Sequence, residues 1–407
     1  MPLSIVVTGL GLVTSIGIGR EAFWHNLLMG RSGIGPVQAF DTSVYRGGTL
    51  GAEVKEFRAA DYLMRLDAAD MGRASQFATA AARLAVADAQ LDVSSLDPER
   101  AGVSMGTTSG EPHEIERFDD HVVAAALDRI RPEFIAAYPC HVIPACVAGE
   151  VGFAGVNITI PTACAAGNYA IAYACDMLRA GRADVMLAGG TDAFSRITYT
   201  GFARLGAIAP DICRPFDRHR KGMIPGEGAA VLVLEPLAQA LARGVRIYAE
   251  VVGYGLSCDA HHITAAHPQG HGAARAMEKA LAHCGLQPDQ VSYISAHGTG
   301  TPTNDQRETV AVKRVFKETA YRIPISSIKS MLGHTMGAAS AIEAAACALA
   351  IFSDRIPPTM HLEAPDPECD LDYVPNAARA HTVHVAMNNA YAFGGNNSSV
   401  ILKKCGG

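Results

Sequence analysis

Positive charge is not in surplus in this chain: 34 lysines and arginines stand against 40 aspartates and glutamates over 407 residues, a formal net charge of −6. A nucleic-acid-binding domain normally presents a strongly basic face, so a broad surface of that kind is excluded. The cysteines (Cys140, Cys146, Cys164, Cys175, Cys213, Cys258, Cys284, Cys347, Cys369, Cys405) include no C-x-x-C pair and no zinc-type spacing. A chain of this size needs no disulfide staples, and a reducing, cytoplasmic setting is expected. Met1 to Val13 lack a basic n-region and are broken by Gly9 and Gly11, which predicts strand and turn rather than a signal peptide. Gly9-Leu10-Gly11 has Thr14 where a dinucleotide fingerprint needs its third glycine, and no suitable acid ends a second strand. No carboxylate or cysteine completes a ligand spacing around His261, His262, His267 and His271, so no metal is expected there. The most apolar helical stretch, Thr335 to Phe352, carries Glu343 and is alanine-rich, which predicts a buried helix and no membrane association.

What the chain does have is core: 49% of its residues are apolar, enough for two or three ordinary domains or one large duplicated unit. Short Val/Ile/Leu runs alternate with alanine-rich helical segments, the pattern of an α/β protein. The pattern restarts after a turn near Gly244. Val251 to Gly255 echoes Val6 to Gly11, and Val291 to Gly298 echoes Gly102 to Gly106. The chain therefore divides into residues 1–247 and 248–407 as two copies of one unit. Residues 106–155 have no counterpart in the second half and are expected to form a cap.

Cys164 stands in Pro161-Thr162-Ala163-Cys164-Ala165-Ala166-Gly167, where a β-prone run (Val156 to Ile160) meets an alanine-rich helix (Ala165 to Ala180). A thiol at a helix N-terminus faces free amides and the positive end of the dipole, which predicts a lowered pKa and a thiolate nucleophile. The same layout of strand, glycine-bearing turn and alanine-rich helix recurs around Gly333-His334. Pseudo-twofold packing of the halves would bring both helix N-termini, and with them Cys164 and His334, into one site. His297 opens the dense run His297-Gly298-Thr299-Gly300-Thr301-Pro302-Thr303-Asn304-Asp305 directly after an apolar strand. Single histidines usually pack. Two at equivalent strand ends, beside a helix-capping cysteine, point to chemistry. Lys329, in the loop of His334, would disfavour protonation of both imidazoles, with Glu308 or Glu343 as its partner.

Taken together these segments resemble the decarboxylating β-ketoacyl-acyl carrier protein synthases, the elongating condensing enzymes of the thiolase superfamily. The motifs are Thr162 to Ala165, Cys213 to Asp217 with Gly226 to Ala229, His297 to Asp305, Lys329 to His334 with Gly337 to Ala339, and Phe393-Gly394-Gly395. The resemblance implies a thiolase-like, internally duplicated fold in five α-β-α-β-α layers. It also implies a catalytic triad of Cys164, His297 and His334, an active-site lysine at Lys329, and a gating phenylalanine at Phe393. Thr299 and Thr301 would hold a phosphopantetheine arm, which belongs to the acyl carrier protein, so no cofactor of the enzyme's own is implied.

Two departures bear on substrate. Gly222-Met223-Ile224 places a thioether where the family usually has an aromatic, and Gly106-Thr107-Thr108-Ser109-Gly110 places small Ser109 where a bulky aliphatic residue often closes the acyl pocket. A deeper or more polar pocket is expected. Arg65, Arg73, Arg129, Arg131 and Arg204, diluted by Asp67 and Asp70, are the candidates for carrier docking. A dimer is implied, either of identical chains or with a ketosynthase-like paralogue. A non-catalytic chain-length subunit would lack the nucleophile that Cys164 supplies. A biosynthetic thiolase would have a second cysteine near Phe393-Gly394-Gly395, and Cys405 lies too far along.

Overall fold

Ile5–Thr14 (β1) is buried at every position, the mark of a strand covered on both faces. The computed structural model describes residues 3–45 and 48–406. After β1 come Ala101–Gly106 (β2), Asn157–Ile160 (β3), Val185–Asp192 (β4) and Gly228–Pro236 (β5). The second half supplies Ala249–Cys258 (β6), Tyr293–Ser295 (β7), Ile325–Ser326 (β8), Val385–Tyr391 (β9) and Asn396–Lys403 (β10).

The order across the sheet is β8-β7-β9-β10-β6 followed by β1-β5-β4-β2-β3. Read outward from the centre, each half runs first strand, fifth, fourth, second, third. The directions repeat as well: β2 pairs parallel with β3 and β4, and β7 pairs parallel with β8 and β9, while the remaining pairs within each half are antiparallel. Only Val6↔Glu250 and Val7↔Ala249 join the two halves through β1 and β6. This is the internal duplication expected from the sequence echoes.

Helices complete the layers. Arg73–Asp88 (α1) packs on β1 and β5, Ala166–Arg179 (α2) on β2 and β4, His271–Cys284 (α3) on β6 and β10, and Ala339–Ser353 (α4) on β9 and against α2. The outer layers are thus α1 and α3, and the central layer is the α2/α4 pair, giving the five-layered thiolase-like architecture. Met336–Ser353 has the length and composition of a membrane span, yet it is that buried central layer.

One expectation needs correcting. Of the residues expected to form a cap, only the earlier part, including Pro112–Val123, is an addition. Val142–Val151 packs beside α1 just as Pro302–Phe316 packs beside α3, so it belongs to the repeated unit. The echo is invisible in sequence because the two helices share no residue pattern.

Candidate active site

The two central helices meet at their N-termini, and small residues allow it. A Cβ added to Gly167 would lie 2.5 Å from the Ala341 amide nitrogen, and one added to Gly337 would lie 2.6 Å from Thr107 and Asp192 atoms. The Asn168 amide donates to Ser340 Oγ at 3.1 Å, fastening one helix to the other. Buried Asp192, at the end of β4, fixes the surrounding loops. It accepts from Thr107 Oγ1, the amides of Thr108 and Ser109, and the Gly337 amide of the other half.

Cys164 lies in the single 3-10 turn Ala163–Ala165 that leads into α2, with Ala163 held at φ 50°. This strained backbone sets the thiol at the helix start. His297 follows β7 and His334 follows β8. All three side chains are buried, and their reactive atoms lie within 4.8 Å of one another. The histidine rings meet edge to face at a centroid distance of 5.4 Å. Among the described residues, this is the group of metal-ligating side chains close enough to chelate, and Lys329 beside it opposes a cation. His267 stacks on His271, and His261 packs tilted against His267.

The thiol departs from expectation. Burial pushes Cys164 up to about 12, and Lys329, which pulls the other way, does not offset it. The thiol form is therefore favoured at rest; burial outweighs the helix terminus that the sequence displays. Both imidazoles are held well below the usual histidine range, first by burial and then by Lys329. Neutral histidines were expected, with Lys329 as the cause; burial is the larger one. The Met336 amide donates to His334 Nδ1 at 3.2 Å, so the proton of that neutral ring sits on Nε2. His297 Nδ1 has no partner in the chain among the described residues.

Lys329 is buried and pairs with Glu343 in the central helix. Glu308, the other candidate partner, instead accepts from the amides of His297 and Gly298, both at 2.8 Å, and so fixes the loop that presents His297. Burial raises both carboxyls to about 7.

A cavity of about 350 Å³ opens onto the triad, and Thr299, Thr301, Met223 and Phe393 all line it. The two threonine hydroxyls are 2.9 Å apart, and Thr301 also caps the helix Pro302–Phe316 by accepting from the Asn304 amide. Phe393 is 38% exposed and meets Phe202 at a ring distance of 5.7 Å, a placement suited to a gate. Ser109 is not in this wall, contrary to expectation: its amide is tied to Asp192 and its hydroxyl lies 3.2 Å from Thr198 Oγ1. Arg73 also leaves the docking candidates, because its guanidinium grips Glu227 at 2.7 and 2.9 Å. Arg65, Arg129, Arg131 and Arg204 remain exposed.

Sequence reasoning passed over buried Asp192 and, at the cavity wall, Tyr391 and the cations Lys221 and Arg307. Asp192 ends an otherwise apolar strand, a visible signal. Tyr391 stands two residues before the motif Phe393-Gly394-Gly395.

Comparison with known proteins agrees with this geometry. Residues 3–240 match the "Beta-ketoacyl synthase, N-terminal domain" and residues 248–363 the "Beta-ketoacyl synthase, C-terminal domain". The chain is 44% identical over 407 residues to a 3-oxoacyl-[acyl-carrier-protein] synthase 2 of Synechocystis, with 98% of each covered. It is 40% identical to the enzyme of that name from Staphylococcus aureus, covering 99% of this chain and 98% of the relative. Among solved structures, the ishigamide ketosynthase/chain length factor superposes with a TM-score of 0.96 at 43% identity, covering 100% of both chains. A type II polyketide ketosynthase in complex with its acyl-carrier protein gives 0.91 at 33%, covering 99% of this chain and 100% of the other. With matched domains spanning most of its length and a buried cysteine facing two neutral histidines, the chain belongs to the beta-ketoacyl synthase family.

Proposed function

We propose that Cys164, His297 and His334 carry out the decarboxylative condensation of an acyl thioester with malonyl-acyl carrier protein. The chain is a condensing acyltransferase of the 3-oxoacyl-acyl-carrier-protein synthase kind. The observation that carries the residue assignment is the approach of these three buried groups to within 4.8 Å.

In the first half-reaction the Cys164 sulfur attacks the acyl thioester carbon. Its proton passes to His297, since Nε2 of His334 already carries hydrogen. A tetrahedral oxyanion forms near the Cys164 and Phe393 amides, and each such donor is commonly worth about 2.7 to 4 kcal/mol. Collapse breaks the carbon–sulfur bond to the carrier, whose thiolate leaves with the proton from His297. Malonyl then enters on a second carrier. The bond to its carboxylate breaks, carbon dioxide leaves, and the electron pair develops as an enolate stabilised by N–H groups of the two neutral imidazoles, His297 now in the tautomer opposite to the one that took the thiol proton. The enolate carbon attacks the acyl-Cys164 carbonyl, the carbon–sulfur bond breaks, and the expelled thiolate takes one proton from solvent through the cavity that opens onto it.

Lys329 and Glu343 hold the field around the histidines, Thr299 and Thr301 receive the phosphopantetheine arm of the substrate carrier, and Phe393 gates it. No resident cofactor is required. Residues 1–247 supply the nucleophile and 248–407 both histidines. Arg204 and Lys221, beside the cavity, suit an acidic carrier protein better than Arg73 does.

The edge strand β3 is paired on one side only, which supports a dimer through β3 with an identical chain. The likeness to a ketosynthase/chain length factor supports a second reading, a heterodimer with a paralogue, in polyketide or polyene rather than fatty acid synthesis. The setting is cytoplasmic. Intact-protein mass spectrometry tests the core assignment: acyl carrier should leave an acyl adduct on the wild type and none on Cys164→Ala. An adduct on the variant overturns it.

A further inference from the structure

Tyr391 is the last residue of β9, two before Phe393, and it lines the cavity. Its side chain is 7% exposed, and its hydroxyl has no partner in the chain among the described residues. The other buried tyrosines do not share this condition. Tyr199 donates to the Leu50 carbonyl, Tyr248 to Asp88, Tyr293 meets Ser326 Oγ and Tyr373 meets Thr309 Oγ1. Buried hydroxyls are almost always satisfied, and an orphan next to reacting groups calls for an external acceptor.

The surroundings restrict what that acceptor is. The Tyr391 ring packs edge-on to His297, with centroids 5.7 Å apart, on the side of the cavity where the second substrate must meet the imidazoles. Burial first, and after it the nearby Glu308 and Asp259, hold the hydroxyl in its neutral form. A hydroxyl kept neutral offers a hydrogen-bond donor, and a carbonyl oxygen is the matching acceptor. An acyl thioester oxygen is expected at the amides of Cys164 and Phe393, whereas a malonyl thioester oxygen is expected at the histidines. The two half-reactions therefore present different carbonyls to Tyr391.

We infer that the Tyr391 hydroxyl is a substrate-binding donor for the thioester carbonyl of the extender unit, acting with His297 and His334. The inference rests on the assignment of the triad given above. It makes Tyr391 a determinant of the second half-reaction alone.

Tyr391→Phe removes the oxygen and keeps the ring. Acylation of Cys164 by acyl carrier is followed by intact mass, and condensation is followed as a single turnover of preformed acyl enzyme with malonyl carrier. The expected result is unchanged acylation with a loss of about three- to tenfold in condensation, the usual worth of one neutral hydrogen bond. Because the hydroxyl satisfies nothing in the chain, the variant should melt no lower than the wild type. Equal losses in both half-reactions, no loss in either, or a lowered melting temperature overturns the inference. Failure of the wild type to acylate at Cys164 would instead overturn the triad on which it rests.

Discussion

The turn that carries Cys164 and the turn that precedes the other central helix are copies of one device. Ala163–Ala165 and Met336–Ala338 are both single 3-10 turns, each begins with a non-glycine residue at φ 50°, and each runs straight into a helix, from Ala166 and from Ala339. In this alignment of the two turns Cys164 corresponds to Gly337. The first copy keeps a side chain facing the cavity; the second has none, because Asp192 and Thr107 fill the place a Cβ would take. The approaches differ too. Ile160 reaches its turn through Pro161 and Thr162 only, whereas Ser326 is followed by residues 327–335, which include the short helix Lys329–Leu332 and then His334. Duplication supplied two converging helix starts, and divergence put a cysteine on one and a lysine and a histidine ahead of the other.

Removing the nucleophile breaks this asymmetry most severely. Cys164→Ala should lower condensation by roughly 10³-fold or more, as loss of a covalent nucleophile does. Measured turnover within tenfold of the wild type would show that the two turns are not functionally distinct.

The histidines should separate the half-reactions. His334→Ala leaves the proposed proton acceptor His297 in place, so acyl transfer to Cys164 should persist while condensation falls roughly 10²- to 10³-fold, the usual cost of one oxyanion donor. His297→Ala should impair both steps. Rapid-quench assays of each half-reaction with both variants decide this, and an identical pattern for the two would remove the assigned tautomer as the cause.

The crowding at Gly337 gives a smaller effect. Gly337→Ala forces Thr107 or Asp192 to shift and should destabilise the fold by about 1 to 3 kcal/mol, with loss of activity because Asp192 ties both loops together. Gly337→Cys should not create a second acylation site. Denaturant unfolding and adduct counting measure these two outcomes.

Much of this architecture was legible in the chain. The echoes between halves predicted that Cys164 and His334 would meet, because equivalent strands in a duplicated sheet carry equivalent helix starts to one seam. What remained hidden depends on depth and on partners distant in sequence. A helix start advertises a low thiol pKa, but full burial of Cys164 reverses the sign. Ser109 reads as a pocket residue, yet its hydroxyl meets Thr198, far along the chain, and it does not line the cavity at the triad. The spacing of Glu308 and Glu343 from Lys329 left both open as partners; only the fold puts Glu343 beside the amine and Glu308 under the backbone of His297.

The mildest test concerns Lys329. Its charge is the second cause, after burial, of the low histidine pKa values, so Lys329→Ala should raise them without restoring the ordinary value. The direction follows from charge: protonating an imidazole beside a cation is costly, and removing the cation lessens the cost. Loss of the lysine also leaves Glu343 without its partner. Whatever fraction of that carboxyl ionises adds negative charge and moves the histidines the same way. Because the proposed condensation needs both imidazoles neutral, its acid limb should move to higher pH in the variant while remaining below about 6.5, the unperturbed histidine value. Wild-type activity should persist well below that pH. A pH profile of single-turnover condensation with the variant separates the two causes: an unmoved limb would assign the neutral histidines to burial alone, and a limb at the ordinary histidine value would assign them to Lys329.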